Sequence, residues 1–225
     1  FEKRFEEVNL KAVNSALKAR EETGYKDVII AGSISHRYPI ADGDTKSNAS
    51  IQVSKLELQE ATEEMALLLT NNCCDLILLE MMYRPERMKI IFDIVKKLNI
   101  PIWVCFSCRK SDKGEILSLT DETVVPFSEM IAISKEYNFD AWGIMHTSED
   151  ILGECIKMIK ANFNGPILAY PDTGGWISPN WIFDSVIEPE KFKEKANGWF
   201  ALGAQIIGGC CGTSPDHIRA LATLK

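Results

Sequence analysis

The sequence predicts an α/β fold with a parallel sheet, on three observations. Short apolar runs rich in β-branched residues alternate with amphipathic stretches of helical period along the whole chain. The first such run, Val28-Ile29-Ile30-Ala31-Gly32-Ser33-Ile34, reads as a buried strand, the kind a parallel sheet requires. No internal repeat beyond the βα unit, no low-complexity tract and no linker interrupts the 225 residues, so residues 1–225 are expected to form a single domain.

Taken in order, residues 3–22 read as a helix, with Phe5, Val8, Val13 and Leu17 as its apolar stripe. The strand 28–34 follows. The polar stretch 35–54, which holds Pro39 and Gly43, is long for a connector and so is either functional or disordered. A helix near 55–72 carries Leu58, Ala61, Met65 and Leu68 on one face and leads to a strand at 76–80. A helix near 84–98 precedes a strand at 102–106, and a helix near 126–137 precedes one at 141–144. Ser148 is placed to cap a helix near 149–162. The next strand spans 166–170, and a helix with Pro189 in its first turn runs to about 202. Ile206-Ile207 make a last short strand, after which Ser214 as cap and Pro215 at the first helical position open a final helix.

This gives six strands, whereas a closed (β/α)₈ TIM-type barrel has eight. The chain opens inside a helix, at Phe1 and not at a methionine. The expectation is therefore a barrel whose first two βα units are missing from this sequence. A longer native chain, or a partner, would then supply strands to edges that would otherwise be exposed. An open doubly wound sheet is the other arrangement, weakened because no glycine-rich nucleotide loop follows the first strand.

The formal net charge of −7 argues against a nucleic-acid or anionic-membrane surface, both of which need basic patches. No run approaches the ~20 apolar residues that cross a bilayer; Leu76-Ile77-Leu78-Leu79, for instance, is cut by Glu80. No signal peptide is visible in the charged start. The seven cysteines are odd in number and include two vicinal pairs, which rarely bridge. This implies free thiols in a reducing cytosol, hence a cytoplasmic protein, with Cys73, Cys74 and Cys155 as ordinary thiols.

The strongest chemical feature is Gly208-Gly209-Cys210-Cys211-Gly212-Thr213-Ser214-Pro215, directly after a strand and before a capped helix. In a barrel that position is the catalytic face. The glycines permit a sharp turn, and a tight turn can aim adjacent thiols at one metal. Thiolates suit zinc, and a catalytic zinc site needs three protein ligands plus an open position. His146, just past the strand 141–144, is the best third ligand among the three histidines; His36 lies in the long loop and His217 in the last helix. The spacing Cys105-Phe106-Ser107-Cys108 resembles a chelating pair, but strand residues three apart face opposite sides, so packing is the better reading. Glu80, at a strand end, reads equally as a solvent group or as a ligand for a substrate ammonium.

The run Gly208–Thr213, followed by Pro215, His217 and Ile218, resembles the signature of the homocysteine S-methyltransferase family. Ala31-Gly32-Ser33, Asp75–Glu80, Tyr170-Pro171-Asp172-Thr173-Gly174 and Trp199 with Gly203 and Ala204 are similar to other family segments in the same order. The resemblance implies a (β/α)₈ barrel with three cysteines on one zinc. Two of them match here, Cys210 and Cys211; His146 stands where the third is expected, Met145 and Asp172 stand where the family has asparagines, and an Asp-Gly-Gly segment expected near the N-terminus is absent.

It also implies thiol alkylation. The homocysteine sulfur, acidified at zinc, would attack a methyl group on a sulfonium, betaine-like or corrinoid donor to give methionine. Glu80 would hold the substrate ammonium, and backbone donors near Gly208 and Gly209 its carboxylate. The small-molecule partners expected are homocysteine and a methyl donor whose identity the sequence does not specify; homo-oligomerisation stays open. Replacing a thiolate ligand by imidazole removes one negative charge, which makes the zinc a better Lewis acid and the bound thiolate a poorer nucleophile. Two alternatives are a zinc hydrolase on the same barrel and a catalytically weak binding or regulatory relative.

Overall fold

The structure, a computed structural model, describes residues 2–35, 53–120, 123–177 and 180–224. His36 and most of the stretch 35–54 lie outside the described residues. The chain runs α1 (Glu2–Thr23), β1 (Ala31–Ser35), α2 (Lys55–Asn71), β2 (Leu76–Met82), α3 (Pro85–Val95), β3 (Ile102–Phe106), β4 (Cys108–Lys110), β5 (Ile116–Ser118) and α4 (Phe127–Ser134). It continues β6 (Ala141–Ser148), α5 (Leu152–Lys160), β7 (Ile167–Asp172), β8 (Gly175–Ile177), β9 (Asn180–Ile182), α6 (Pro189–Leu202), β10 (Ile206–Ile207) and α7 (Pro215–Leu221).

Six strands form one parallel sheet in the order β1-β2-β3-β6-β7-β10. The order follows the chain without reversal. A doubly wound sheet would reverse at a switch point, so this is the winding of a barrel wall. Among the described residues β1 and β10 do not pair with each other, so the sheet is an open arc and not a closed barrel. The expected barrel is met in winding, but closure is not shown. Two antiparallel hairpins, β4-β5 and β8-β9, are additions that the sequence reading did not foresee.

The two faces of the sheet bury different sets. Ile77, Leu79, Val104, Phe106, Ile144 and Ala169 join a large core with helix residues such as Met88, Phe92, Met130, Ile156 and Phe192. Each fully buried Val, Leu, Ile, Phe or Met side chain among them contributes about 1.5–3 kcal/mol. The alternate residues Leu78, Trp103, Cys105, Met145, Leu168, Tyr170 and Ile206 form a second, smaller cluster on the other face. There the Tyr170 hydroxyl on β7 donates to Glu80 Oε1 on β2 over 3.2 Å. Side chains stand roughly perpendicular to a sheet, and β2 and β7 are three strand positions apart. That bond therefore requires the sheet to curl around this face.

Several boundaries differ from expectation. Val28 and Ile29 are exposed and precede β1, because pairing with β2 starts at Ala31 against Leu76. In α1, Val13 is buried but Val8 faces solvent. In α2 the buried row is Thr62, Ala66 and Leu69, one residue round from the expected face. That row docks over Gly32, where an added Cβ would lie 3.1 Å from Leu69 Cβ and 3.1 Å from Cys74 Sγ. Ser148 belongs to β6, and α5 is preceded by Ile151, although Ser148 Oγ accepts from the Asp150 amide over 3.4 Å. The final helix is as expected: Ser214 caps α7 with Pro215 in its first turn.

Candidate metal centre

Cys210 and Cys211 follow β10 on a segment stitched to the exit of β7. The Gly208 amide donates to the Ala169 carbonyl over 3.0 Å, Cys210 to Pro171 over 2.9 Å, and Thr173 back to Cys211 over 2.9 Å. Adjacent residues of a straight strand would point opposite ways. A turn prevents this: the Thr213 amide donates to the Cys210 carbonyl over 3.3 Å, and Gly212 has φ +79. That is the positive φ a type II turn demands at its third residue. The turn leaves the two sulfurs 3.8 Å apart.

His146 arrives from β6 through a backbone irregularity. The β6-β7 register shifts between Met145 and Ser148, and His146 itself has φ +42. Such a bulge re-aims a side chain at a strand end. Its geometry is fixed by the Met145 carbonyl, which accepts from Ser107 Oγ (3.0 Å) and Thr147 Oγ1 (2.8 Å). Thr147 Oγ1 in turn accepts from the Cys108 amide over 2.9 Å. One ligand atom from each of His146, Cys210 and Cys211 then lies within 4.8 Å of the other two, and all three residues are half-buried. Among the described residues this is the only such group of three or more.

The donor set fits zinc. Two sulfurs held tetrahedrally at ~2.3 Å from Zn²⁺ lie about 3.8 Å apart, and the observed separation of the Cys210 and Cys211 sulfurs is 3.8 Å. Burial pushes the Cys210 thiol up to about 12, with Cys211 and Asp172 adding repulsion. Without a cation this thiol is protonated at neutral pH. Asp172, at the end of β7, places Oδ2 3.7 Å from His146 Nδ1. Burial pushes its carboxyl up, while the imidazole pulls it partly back down.

Glu80 lies on the smaller-cluster face near the end of β2. Met81 beside it has φ +54, and the β2-β3 register shifts there. Ser33 on β1 donates to Glu80 Oε2, and Tyr170 to Oε1. Burial first, then Cys105 and Glu80, drive the Tyr170 phenol far up, so it acts as a neutral donor. Cys105 faces this side beside Tyr170, whereas Cys108 lies in the helix-facing core beside Cys155. The Cys-x-x-Cys pair thus splits between the two faces, as expected. The Gly208 amide, next to the backbone donors expected for a substrate carboxylate, donates to the Ala169 carbonyl in the sheet ladder. His217 is structural: Nδ1 accepts from the Ser214 amide over 3.1 Å and Nε2 donates to the Ile187 carbonyl over 2.8 Å. Sequence reasoning missed Ser33, Tyr170, Ser107 and Thr147 as supports, and saw Asp172 only as an unusual residue. Position in the Ala-Gly-Ser and Tyr-Pro-Asp segments was the available signal for the first two.

A family model described as Homocysteine S-methyltransferase matches residues 1–224. The chain belongs to the homocysteine S-methyltransferase family. Homocysteine S-methyltransferase 1 of Arabidopsis thaliana is 25% identical over 229 residues, covering 94% of this chain and 68% of its own length. The selenocysteine methyltransferase of Astragalus bisulcatus is 24% identical over 206 residues, covering 87% of this chain. This chain spans only 58% of that relative's length. The apo crystal structure of the homocysteine methyltransferase MmuM from Escherichia coli superposes with a TM-score of 0.74 at 20% identity. The match covers 99% of this chain and 74% of MmuM. The metallated form of MmuM gives a TM-score of 0.73, also at 20% identity, over 96% of this chain and 69% of its own. This family member therefore shares the MmuM fold. No helix among the described residues is long and apolar enough to cross a membrane.

Proposed function

We propose that this protein is a zinc-dependent S-methyltransferase that moves a methyl group from a sulfonium, betaine-like or corrinoid donor to the thiol of homocysteine, giving methionine. The observation that carries the reading is the convergence of His146, Cys210 and Cys211 at the strand exits of a chain from this family. Zinc held by these three residues supplies the Lewis acidity that lets a substrate thiol lose its proton near neutral pH. Glu80 binds the substrate ammonium. Its two oxygens already accept from Ser33 and Tyr170, which fixes the carboxylate plane and leaves lone pairs for a cation. Gly209, whose neighbours on either side are tied to β7, presents its backbone to the substrate carboxylate. The curled smaller-cluster face, with Leu78, Trp103 and Met145, supplies an apolar wall that keeps water from the sulfur.

Family membership favours methyl transfer over hydrolysis on the same scaffold. The imidazole ligand leaves the centre with one negative charge fewer than three thiolates would, so slower alkylation is expected, not loss of metal. The test is zinc content together with methionine formation from several donors, on the wild type and on His146→Cys. Freshly purified protein that holds no zinc, even when zinc is supplied, would overturn the reading.

A further inference from the structure

We infer that Asp172 is a positioning residue for the metal centre, holding His146 through Nδ1 so that the other ring nitrogen is presented between the two thiols. This rests on the proposed zinc site and adds a residue to it. Three observations support it. Asp172 Oδ2 lies 3.7 Å from His146 Nδ1, and both side chains are only 22% exposed. Asp172 sits on β7 between the strands that bring the ligands, paired in register with Ser148 of β6 and flanked by residues bonded to the Cys210-Cys211 segment. It also falls outside the group of three whose ligand atoms are mutually within 4.8 Å, so it neighbours that ligand set without being a member of it.

The physical need is specific. A neutral imidazole can offer a metal either nitrogen, and a carboxylate on one of them fixes the tautomer, the ring plane and the basicity of the other. His146 has a particular requirement for such a partner, because it leaves the backbone at φ +42 from a bulge and its ring direction is not set by a regular strand. Two thiolates and an imidazole only neutralise Zn²⁺. The Asp172 carboxylate adds a negative charge beside the centre, and a thiolate substrate would feel it through the histidine.

The experiment is a zinc-affinity measurement by chelator competition on the full chain, for wild type, D172N, H146C and the double variant H146C/D172N. D172N should weaken zinc binding roughly 10- to 100-fold. In the H146C background the same change should alter affinity by less than about threefold, because the side chain that Asp172 positions is gone. Cobalt-loaded D172N should keep its thiolate charge-transfer absorption while its ligand-field bands shift. D172A serves as a second carboxylate-free variant should D172N not fold. Equal zinc affinity in wild type and D172N overturns the inference, as does an equal loss in both backgrounds, and either result leaves the zinc centre standing. Absence of zinc from the wild type overturns both together.

Discussion

Gly212→Ala should be among the most damaging single-methyl additions in this protein. Gly212 has φ +79, in a region where an L side chain costs about 1–2 kcal/mol. An alanine Cβ built there lies 2.0 Å from the Thr173 carbonyl oxygen and 2.9 Å from its carbon. The nearest atoms are backbone, so no rotamer change relieves the contact; the turn must move away from β7 by more than an ångström. That movement breaks the 2.9 Å bond from the Thr173 amide to the Cys211 carbonyl, worth about 1 kcal/mol. The sum is a loss of about 2–3 kcal/mol. Urea denaturation analysed by linear extrapolation would read it directly, and the thermal midpoint should fall by roughly 4–12 °C. Zinc affinity should fall too, since the same turn sets the two sulfurs 3.8 Å apart. Gly198→Ala is the internal control: Gly198 lies in α6 with nothing within 4 Å of an added Cβ, so alanine should stabilise by about 0.5–1 kcal/mol. If Gly212→Ala stays within about 0.5 kcal/mol of wild type, the turn does not pin the motif in the way described.

Other outcomes follow from the same geometry. Glu80→Gln removes a charged acceptor worth about 1.5–3 kcal/mol, so kcat/KM for homocysteine should fall roughly 10- to 100-fold, mainly through KM; an unchanged KM would remove Glu80 from the substrate site. His146→Cys should retain zinc, measured by elemental analysis, and speed methionine formation because the added thiolate makes the substrate sulfur more nucleophilic; a slower variant would contradict the charge argument. The Cys210 thiol, pushed up to about 12 by burial, must lose its proton to become a ligand, so zinc uptake near pH 7 should release protons and weaken as pH falls, measurable by calorimetry in buffers of different ionisation enthalpy. For the metal-free protein the sign is opposite at high pH. The folded pKa of Cys210 lies above its unfolded value, so its stabilising contribution is complete below about pH 9 and is lost as pH rises towards about 12. Denaturation midpoints that stay flat across that range would refute this.

Much of the architecture was legible in the residue order. Helix-period and strand-period stretches alternate plainly, and they give the six parallel strands of the sheet at close to their observed positions. Pro189 and the Ser214-Pro215 pair marked helix starts because proline fits only the first turn. The hairpins β4-β5 and β8-β9 were not legible, since their strands are three residues long and too short to show a period. Val28 and Ile29 misled because β-branched apolar residues mark strand propensity, while strand extent is set by where a neighbour offers partners.

The site divides in the same way. Local chemistry is encoded locally: two thiols, the glycine that turns the chain between them and the helix, and the capping pair that follows lie within a few residues, so the double-cysteine motif and its family could be read from order alone. The proposed third ligand could only be suggested, and Asp172 stood out only as an unusual residue. His146 lies more than sixty residues before Cys210, and it meets the thiols because β6, β7 and β10 are adjacent in the sheet and a bulge turns its backbone left-handed. The bond between Tyr170 and Glu80 likewise exists only because the sheet curls. Composition and period specify which face a residue prefers, but distances across a sheet depend on register, curvature and bulges, which are properties of the assembled backbone.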